Sequence, residues 1–396
     1  MLALFAMYIF SSPYFSDREP FNYLVYGIFI LFTVVVIAYR FLFHNFKQIN
    51  FRIFMMPLFA VYSVIGTILF SHQYRYLLTV FLLAFSYVVI YFMLEQVKNN
   101  DLVIKITIYS LMFFSFLFIL HYRNDIFSFS DIGSNRLAVD NYFGNVNTVA
   151  FYFASCCILS LYYVLYSKKL INLLFLFPFV SCFYIGVLTA SRTFLVSVFV
   201  SILIMFIMRF RKKPFVLASG LAVIIVGIIL LFTLPAFVVI KKRLIEMINM
   251  ITGNRYSTDY STATRILWQD YAAYLGSHHL IFGNGLNGFA VFSGTGTYSH
   301  ANIAELLCDI GIVGLLFYYS VYIVAFYDII NKKMKYSSLV IILLAFLISR
   351  EFLSVSYTSK FNAFIFAFIS YSGSLGVYKR QQRLIISPEN YYLIEI

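Results

Sequence analysis

Four side chains able to move protons or bind polar ligands open an otherwise apolar run, YSHANIAELLCDIGIVGLL at residues 298–316: His300, Asn302, Glu305 and Asp309. An unperturbed imidazole titrates at about pH 6.5, so His300 is mostly neutral at pH 7 and able to take a proton as a general base. The alternative is an interfacial histidine closing a helix end. The same residues read as a capping box, with Asn302 as N-cap and Glu305 reaching back to it. Asn302, Glu305 and Asp309 follow i, i+3, i+7 spacing and share one helix face. A helix entering a bilayer near His300 would carry Asp309 about 13 Å deep, in a hydrocarbon core about 30 Å thick. A carboxylate there costs about 2.5–3.5 kcal/mol, so it must face protein or a wet cavity. Two roles remain open for this face: lining a site and orienting His300, or partnering an arginine on another helix.

The elements that must position these residues are membrane helices. The chain has 396 residues, 62% hydrophobic and 11% charged, and its mean hydropathy is +0.87. Soluble domains carry about 25% charged residues. Apolar runs near spanning length recur throughout, without the short alternating segments of a β-barrel. The expected fold is an all-α polytopic membrane protein with about twelve spans, near 1–13, 21–43, 53–71, 74–94, 103–122, 147–166, 170–188, 192–208, 214–239, 302–327, 337–353 and 359–378. No internal repeat is visible. The four cysteines (Cys156, Cys157, Cys182, Cys308) fall inside these spans and form neither a disulfide framework nor a metal motif. No cleavable signal pattern is present, and the first span would serve as its own insertion signal.

The net charge of +13 sits mostly in short loops between spans, which argues for topology rather than nucleic-acid binding. With the N-terminus inside, 17 of the 29 basic residues face the cytoplasm. Five of the rest lie in one long outer loop, which the positive-inside rule discounts, leaving 17 against 7. The organisation is then nine spans over residues 1–239, a large extracytoplasmic loop over 240–301, three spans over 302–378 and a cytoplasmic tail over 379–396. Within the loop, VIKKRLIEMINMI and TRILWQDYAAYL have amphipathic helical spacing, and GNGLNGFAVFSGTGTYSH is rich in turns.

Several pieces on the outer side resemble the O-antigen ligase and O-antigen polymerase superfamily of integral membrane glycosyltransferases. LTASRTF (188–194) is similar to its Ser-Arg turn before a span. TRILWQDYAAYLGSHHLIFGNGLNGF (264–289) is similar to its Arg-x-x-x-Trp-like helix and Gly-x-Gly turn, with Arg265 and Trp268. SHANIAELLCDIGIVGL (299–315) is similar to its His-Asn helix, although Ala301 here separates His300 from Asn302. FGNVNTVAFYFA (143–154) resembles the Asn-bearing entry to an earlier span. Together they cover about a quarter of the chain.

The resemblance implies transfer of a glycan from a polyprenyl diphosphate to an acceptor hydroxyl, outside the bacterial cytoplasmic membrane and without metal or cofactor. The implied substrate is an undecaprenyl-diphosphate-linked oligosaccharide held in membrane lipid, with a flippase and chain-length regulators as pathway partners. His300 becomes the base, with Glu305 and Asp309 in support. Arg192 and Arg265 become diphosphate ligands, since guanidinium pairs with phosphate oxygens in a fork and stays charged. Without the family, the preferred reading of Arg192 is an interfacial snorkelling residue. Asn302 joins the implied substrate-binding set, and Arg136 is added to it on its outer position alone. Arg75 and Arg350 lie on the same side and have position alone in their favour.

A polymerase would accept a second lipid-linked repeat unit, a ligase lipid A core, and a protein O-oligosaccharyltransferase a side-chain hydroxyl; the polymerase is the expectation. Two rivals come from other classes. One is a metal-dependent polyprenyl-phosphate glycosyltransferase, with Asp17 and Glu19 of SDREP as the acidic pair. The other is a lipid-linked glycan flippase, for which inverted repeats would be the sign.

Overall fold

The structure is a computed structural model that describes residues 1–15, 21–43, 50–71, 76–97, 99–127, 146–233, 238–251, 260–331, 334–357 and 359–385. Asp17, Glu19, Arg75 and Arg136 lie outside these residues.

The described residues form helices and no strand. In chain order these are α1 (Leu2–Phe15), α2 (Phe21–Phe43), α3 (Met55–Gly66), α4 (Leu77–Gln96), α5 (Asn100–His121), α6 (Arg123–Phe127), α7 (Val146–Tyr166), α8 (Leu176–Leu188), α9 (Arg192–Phe210), α10 (Pro214–Thr233), α11 (Val238–Ile251), α12 (Tyr260–His278), α13 (Gly288–Phe292), α14 (Asn302–Ile330), α15 (Ser337–Glu351) and α16 (Lys360–Ile385). Among the described residues, eight helices are long and apolar enough to cross a membrane. In the other four expected spans the apolar parts are shorter: Leu2–Pro13, Pro214–Gly227, Phe361–Leu375 and the 15 residues of α15. The chain is a polytopic α-helical membrane protein.

Its surface and core follow from that solvent. Ile30, Phe41, Leu42, Leu69 and Phe177 are exposed on the helix faces, which water would not tolerate and lipid does. Hydroxyls inside the apolar helices are satisfied by their own backbones: Ser63, Thr67, Thr107, Ser155 and Ser201 each donate to the carbonyl four residues earlier. The interior is aromatic, as where Phe151 stacks on Phe346 and meets Phe361 edge-on.

α4 packs on α16, α7 on α8 and α9, and α15 on α9, while α14 lies between α3 and α12. One end of the bundle is tied by the buried Arg52–Asp328 pair, in which Arg52 Nη2 donates to both carboxylate oxygens (3.0 and 2.8 Å), joining the segment before α3 to the end of α14. Arg40 and Glu95 pair near the same end. The opposite end carries the segments α12, α13 and 279–301.

Candidate functional site

The amphipathic spacings expected over 239–251 and 264–275 appear as α11 and α12. α12 presents Trp268, Ala272 and Leu275 to the start of α14, where they meet Cys308 and Ala304. Gly276 permits the contact, because a Cβ there would lie 3.2 Å from the Cys308 backbone.

α14 is two helices. Gly311 interrupts it with φ 63 and ψ −170, a conformation that glycine alone adopts without strain. The carboxylate of Glu351 accepts hydrogen bonds from both Asn302 Nδ2 and Tyr319 Oη. A straight helix would hold residues 302 and 319 about 25 Å apart. One carboxylate cannot bridge that distance, so the chain doubles back at Gly311. This corrects the expected depth of Asp309. Residues 312–330 alone extend about 28 Å and suffice as a span. Asp309 precedes that span rather than sitting midway along it.

The break frees backbone groups, and the loop after α12 takes them up. Ile312 N donates to Leu280 O (2.8 Å) and Val313 N to Ile281 O (3.3 Å), while Cys308 O accepts from Asn284 N (3.0 Å) and Asn284 Nδ2 (2.8 Å). Gly283, at φ 73, brings the two backbones together, and a Cβ on it would meet Asp309 O at 2.4 Å.

The three polar residues on the shared face anchor the backbone on either side of His300 and at the glycine-rich turn. Asp309 is fully buried. Its oxygens accept from Asn287 N (2.8 Å), Phe289 N (3.0 Å) and Tyr357 Oη (3.4 Å), so it caps α13 across space and pins the glycine-rich turn. Glu305 accepts from Ser299 N (2.5 Å), reaching back past the helix start as a capping-box acid does. Asn302 does not cap its helix; Ala301 occupies the N-cap without a side-chain bond. The Asn302 Oδ1 instead accepts from Ser356 N (2.8 Å) and Tyr357 N (3.0 Å), and its Nδ2 is bound to Glu351. Asn302 is fully buried, and both its Oδ1 and its Nδ2 are bonded to protein.

His300 stands between two of these anchors. Ser299 is held by Glu305 before it, and Asn302 is held by the 351–357 segment after it. Its own φ is 67, uncommon for a residue with a Cβ and sustained here by fixed neighbours on both sides. The imidazole stacks on the indole of Trp268 (centroids 5.5 Å apart, planes 5° apart) and meets Tyr298 edge-on at 4.4 Å. Its pKa is lowered to about 4, first by burial and then by the positive charges of Arg265 and Arg192. Three residues distant in sequence thus converge. Arg265 precedes Trp268 by one helical turn. Arg192 opens α9 after a turn built by Ala190 (φ 48) and by Ser191, whose Oγ accepts from Phe194 N and donates to Asn147 Oδ1 at 3.1 Å. That bond joins the 143–154 segment to the Ser-Arg turn.

Residues 177–319 match the family model described as O-antigen ligase, from the start of α8 to beyond the break in α14. This stretch, somewhat over a third of the chain, is similar to the O-antigen ligase family. No curated protein matches the chain. The O-antigen ligase match encloses Arg192, Arg265, Trp268, His300 and the three buried polar residues. It stops before Glu351, Ser356 and Tyr357, which hold the site's helix from outside it.

These last three had no motif to mark them. Glu351 could have been suspected as the single acid of an apolar segment, following Arg350. Arg350 itself is buried, with its guanidinium 3.3 Å from the centroid of the Phe151 ring and a bond to Asn362 Oδ1 (3.3 Å). It braces α7 and α16 against α15. Among the described residues no group of three or more His, Cys, Asp or Glu could hold a metal ion.

Proposed function

We propose that the protein is a polysaccharide polymerase that joins polyprenyl-diphosphate-linked repeat units on the outer face of the bacterial cytoplasmic membrane. One observation carries this reading: a half-buried, conformationally strained histidine shares its surroundings with two arginines drawn from separate helices. The arginines suit a diphosphate and the histidine suits the hydroxyl that displaces it.

In the proposed step the acceptor oxygen attacks the anomeric carbon. The bond from that carbon to the diphosphate oxygen breaks, and the diphosphate leaves into the guanidinium groups of Arg192 and Arg265. The hydroxyl proton passes to His300. A single displacement inverts the anomeric configuration. The lowered pKa keeps the imidazole neutral at pH 7 and open to a proton. A bound diphosphate offsets the two positive charges and raises the pKa toward its ordinary value, so basicity grows when the donor is in place.

A positioned base contributes about 10²–10⁴-fold. His300→Ala should therefore accumulate a single lipid-linked repeat unit and make no glycan ladder, in a protein still inserted in the membrane. Deletion followed by glycan sizing on a gel gives the same test for the whole protein. Wild-type chain lengths in His300→Ala at equal expression would remove the base assignment, and a retained anomeric configuration would remove the single displacement. The description of the matched family favours a second reading, ligation of a finished glycan to a separate acceptor. A ligase mutant would keep long lipid-linked chains and lose only their transfer.

A further inference from the structure

Beside α12, on the same end of the molecule as His300, an open-sided cleft of about 440 Å³ is lined by Phe70, Tyr274, His278, His279, Asn284 and Phe292 among others. We propose that this cleft is a carbohydrate subsite that holds sugar residues of the acceptor glycan while its hydroxyl meets His300. The proposal rests on the reading of the protein as a glycan transferase and adds where the second sugar chain lies.

The rings argue first. Tyr274 and Phe292 are half or more exposed, at 58% and 50%, and both line the cleft. Tyr274 stacks on Tyr271 (centroids 6.1 Å apart, planes 12° apart) and meets His278 edge-on at 4.6 Å. Trp268, Tyr271, Tyr274 and His278 thus form an aromatic stripe along α12, and its first ring is the one stacked on His300. Residues 268 and 278 are separated by about 15 Å along the helix, the length of a short oligosaccharide. A pyranose presents C–H groups on its faces, which pack on aromatic rings, and hydroxyls around its rim.

The polar atoms argue second. Asn284 commits Nδ2 to Cys308 O, which leaves Oδ1 as its acceptor. His278 places Nδ1 2.9 Å from Tyr274 O, so the proton belongs on Nδ1 and Nε2 is left to accept. Acceptors on the wall call for donors on the ligand, and sugar hydroxyls are donors. Among the described residues no lysine or arginine lines the cleft, whereas Arg192 and Arg265 offer a diphosphate two guanidinium groups beside His300. An acyl or isoprenoid chain would leave two imidazoles and an amide facing hydrocarbon without partners.

The test uses the full chain in lipid nanodiscs. The probe is the oligosaccharide mixture released by mild acid from lipid-linked glycans of the host membrane, and binding is read by saturation-transfer NMR. Tyr274→Ala and Phe292→Ala should each weaken binding about tenfold, whereas Tyr274→Phe, which keeps the ring, should bind as wild type does. His300→Ala should bind normally although transfer is lost. No binding to wild type, or equal affinity in wild type and both alanine variants, would overturn the subsite. So would native mass spectrometry showing a lipid that the oligosaccharide cannot displace and that Tyr274→Ala releases. The transferase reading fails separately: an unchanged glycan ladder in a deletion strain would remove it even if ring-dependent sugar binding persisted.

Discussion

At the scale of single residues, the environment of His300 can be read directly, because the chain contains one tryptophan and that tryptophan is stacked on the imidazole. An imidazolium quenches indole fluorescence more strongly than a neutral imidazole. Trp268 emission should therefore fall as pH drops through about 4, the lowered pKa of His300. Arg265→Gln removes a nearby positive charge, which favours the protonated ring, so the midpoint should move up toward the ordinary value of about 6.5. His300→Ala should abolish the transition. A midpoint unchanged by Arg265→Gln would mean that burial and Arg192 set the pKa and that Arg265 is not electrostatically coupled to the base. The fork geometry has its own check: if Arg192 grips a diphosphate bidentately, Arg192→Lys should restore polymer poorly, and full activity in that variant would point to simple charge.

At the scale of elements, the break in α14 governs how the site is assembled. Gly311 and Gly283 lie backbone to backbone, each with a positive φ, and a Cβ on Gly311 would approach Ile281 O to 2.4 Å. Gly311→Ala adds to that clash the backbone strain of a conformation essentially reserved for glycine, about 1–3 kcal/mol. It should detach the 279–288 segment, lower the thermal midpoint and expose the loop to protease, with polymer lost although His300 is untouched. A thermal midpoint and protease pattern matching wild type would show that the glycine contact does not hold the loop. The sequence made most of these elements legible and this one illegible, for a physical reason. Apolar run length and amphipathic spacing are local properties, and they marked α11, α12 and most spans. The reversal at Gly311 depends on hydrogen bonds to residues 280 and 281, some thirty positions away, and an isolated glycine in a helical pattern is usually tolerated. Asp309 illustrates the same limit. Its sequence position implied a costly intramembrane acid, but its partners are the amides of Asn287 and Phe289, which no spacing rule could have supplied. Asn302 looked like a cap from local pattern and is a long-range tether. His300, Arg192 and Arg265 were picked out by the family resemblance together with residue types that suit the proposed chemistry, and packing brings them into one neighbourhood.

At the scale of the whole molecule, the proposed chemistry requires the end carrying α12 and His300 to face away from the cytoplasm. The charge distribution supports that orientation, with 17 basic residues against 7 once the long loop is set aside. Ser277 is exposed and close to the end of α12, which makes it a reporter for this end of the bundle. Lys212 is exposed between α9 and α10 at the far end of the α9 span from Arg192, and reports the opposite one. The native background is low, since Cys156, Cys157, Cys182 and Cys308 are all buried. On intact cells, Ser277→Cys should react with a membrane-impermeant maleimide, and Lys212→Cys should react only after lysis. The reverse pattern would place His300 and both arginines in the cytoplasm, where no outward-facing lipid-linked glycan can reach them. That result would overturn the polymerase reading while leaving the fold, the break in α14 and the convergence of the three residues intact.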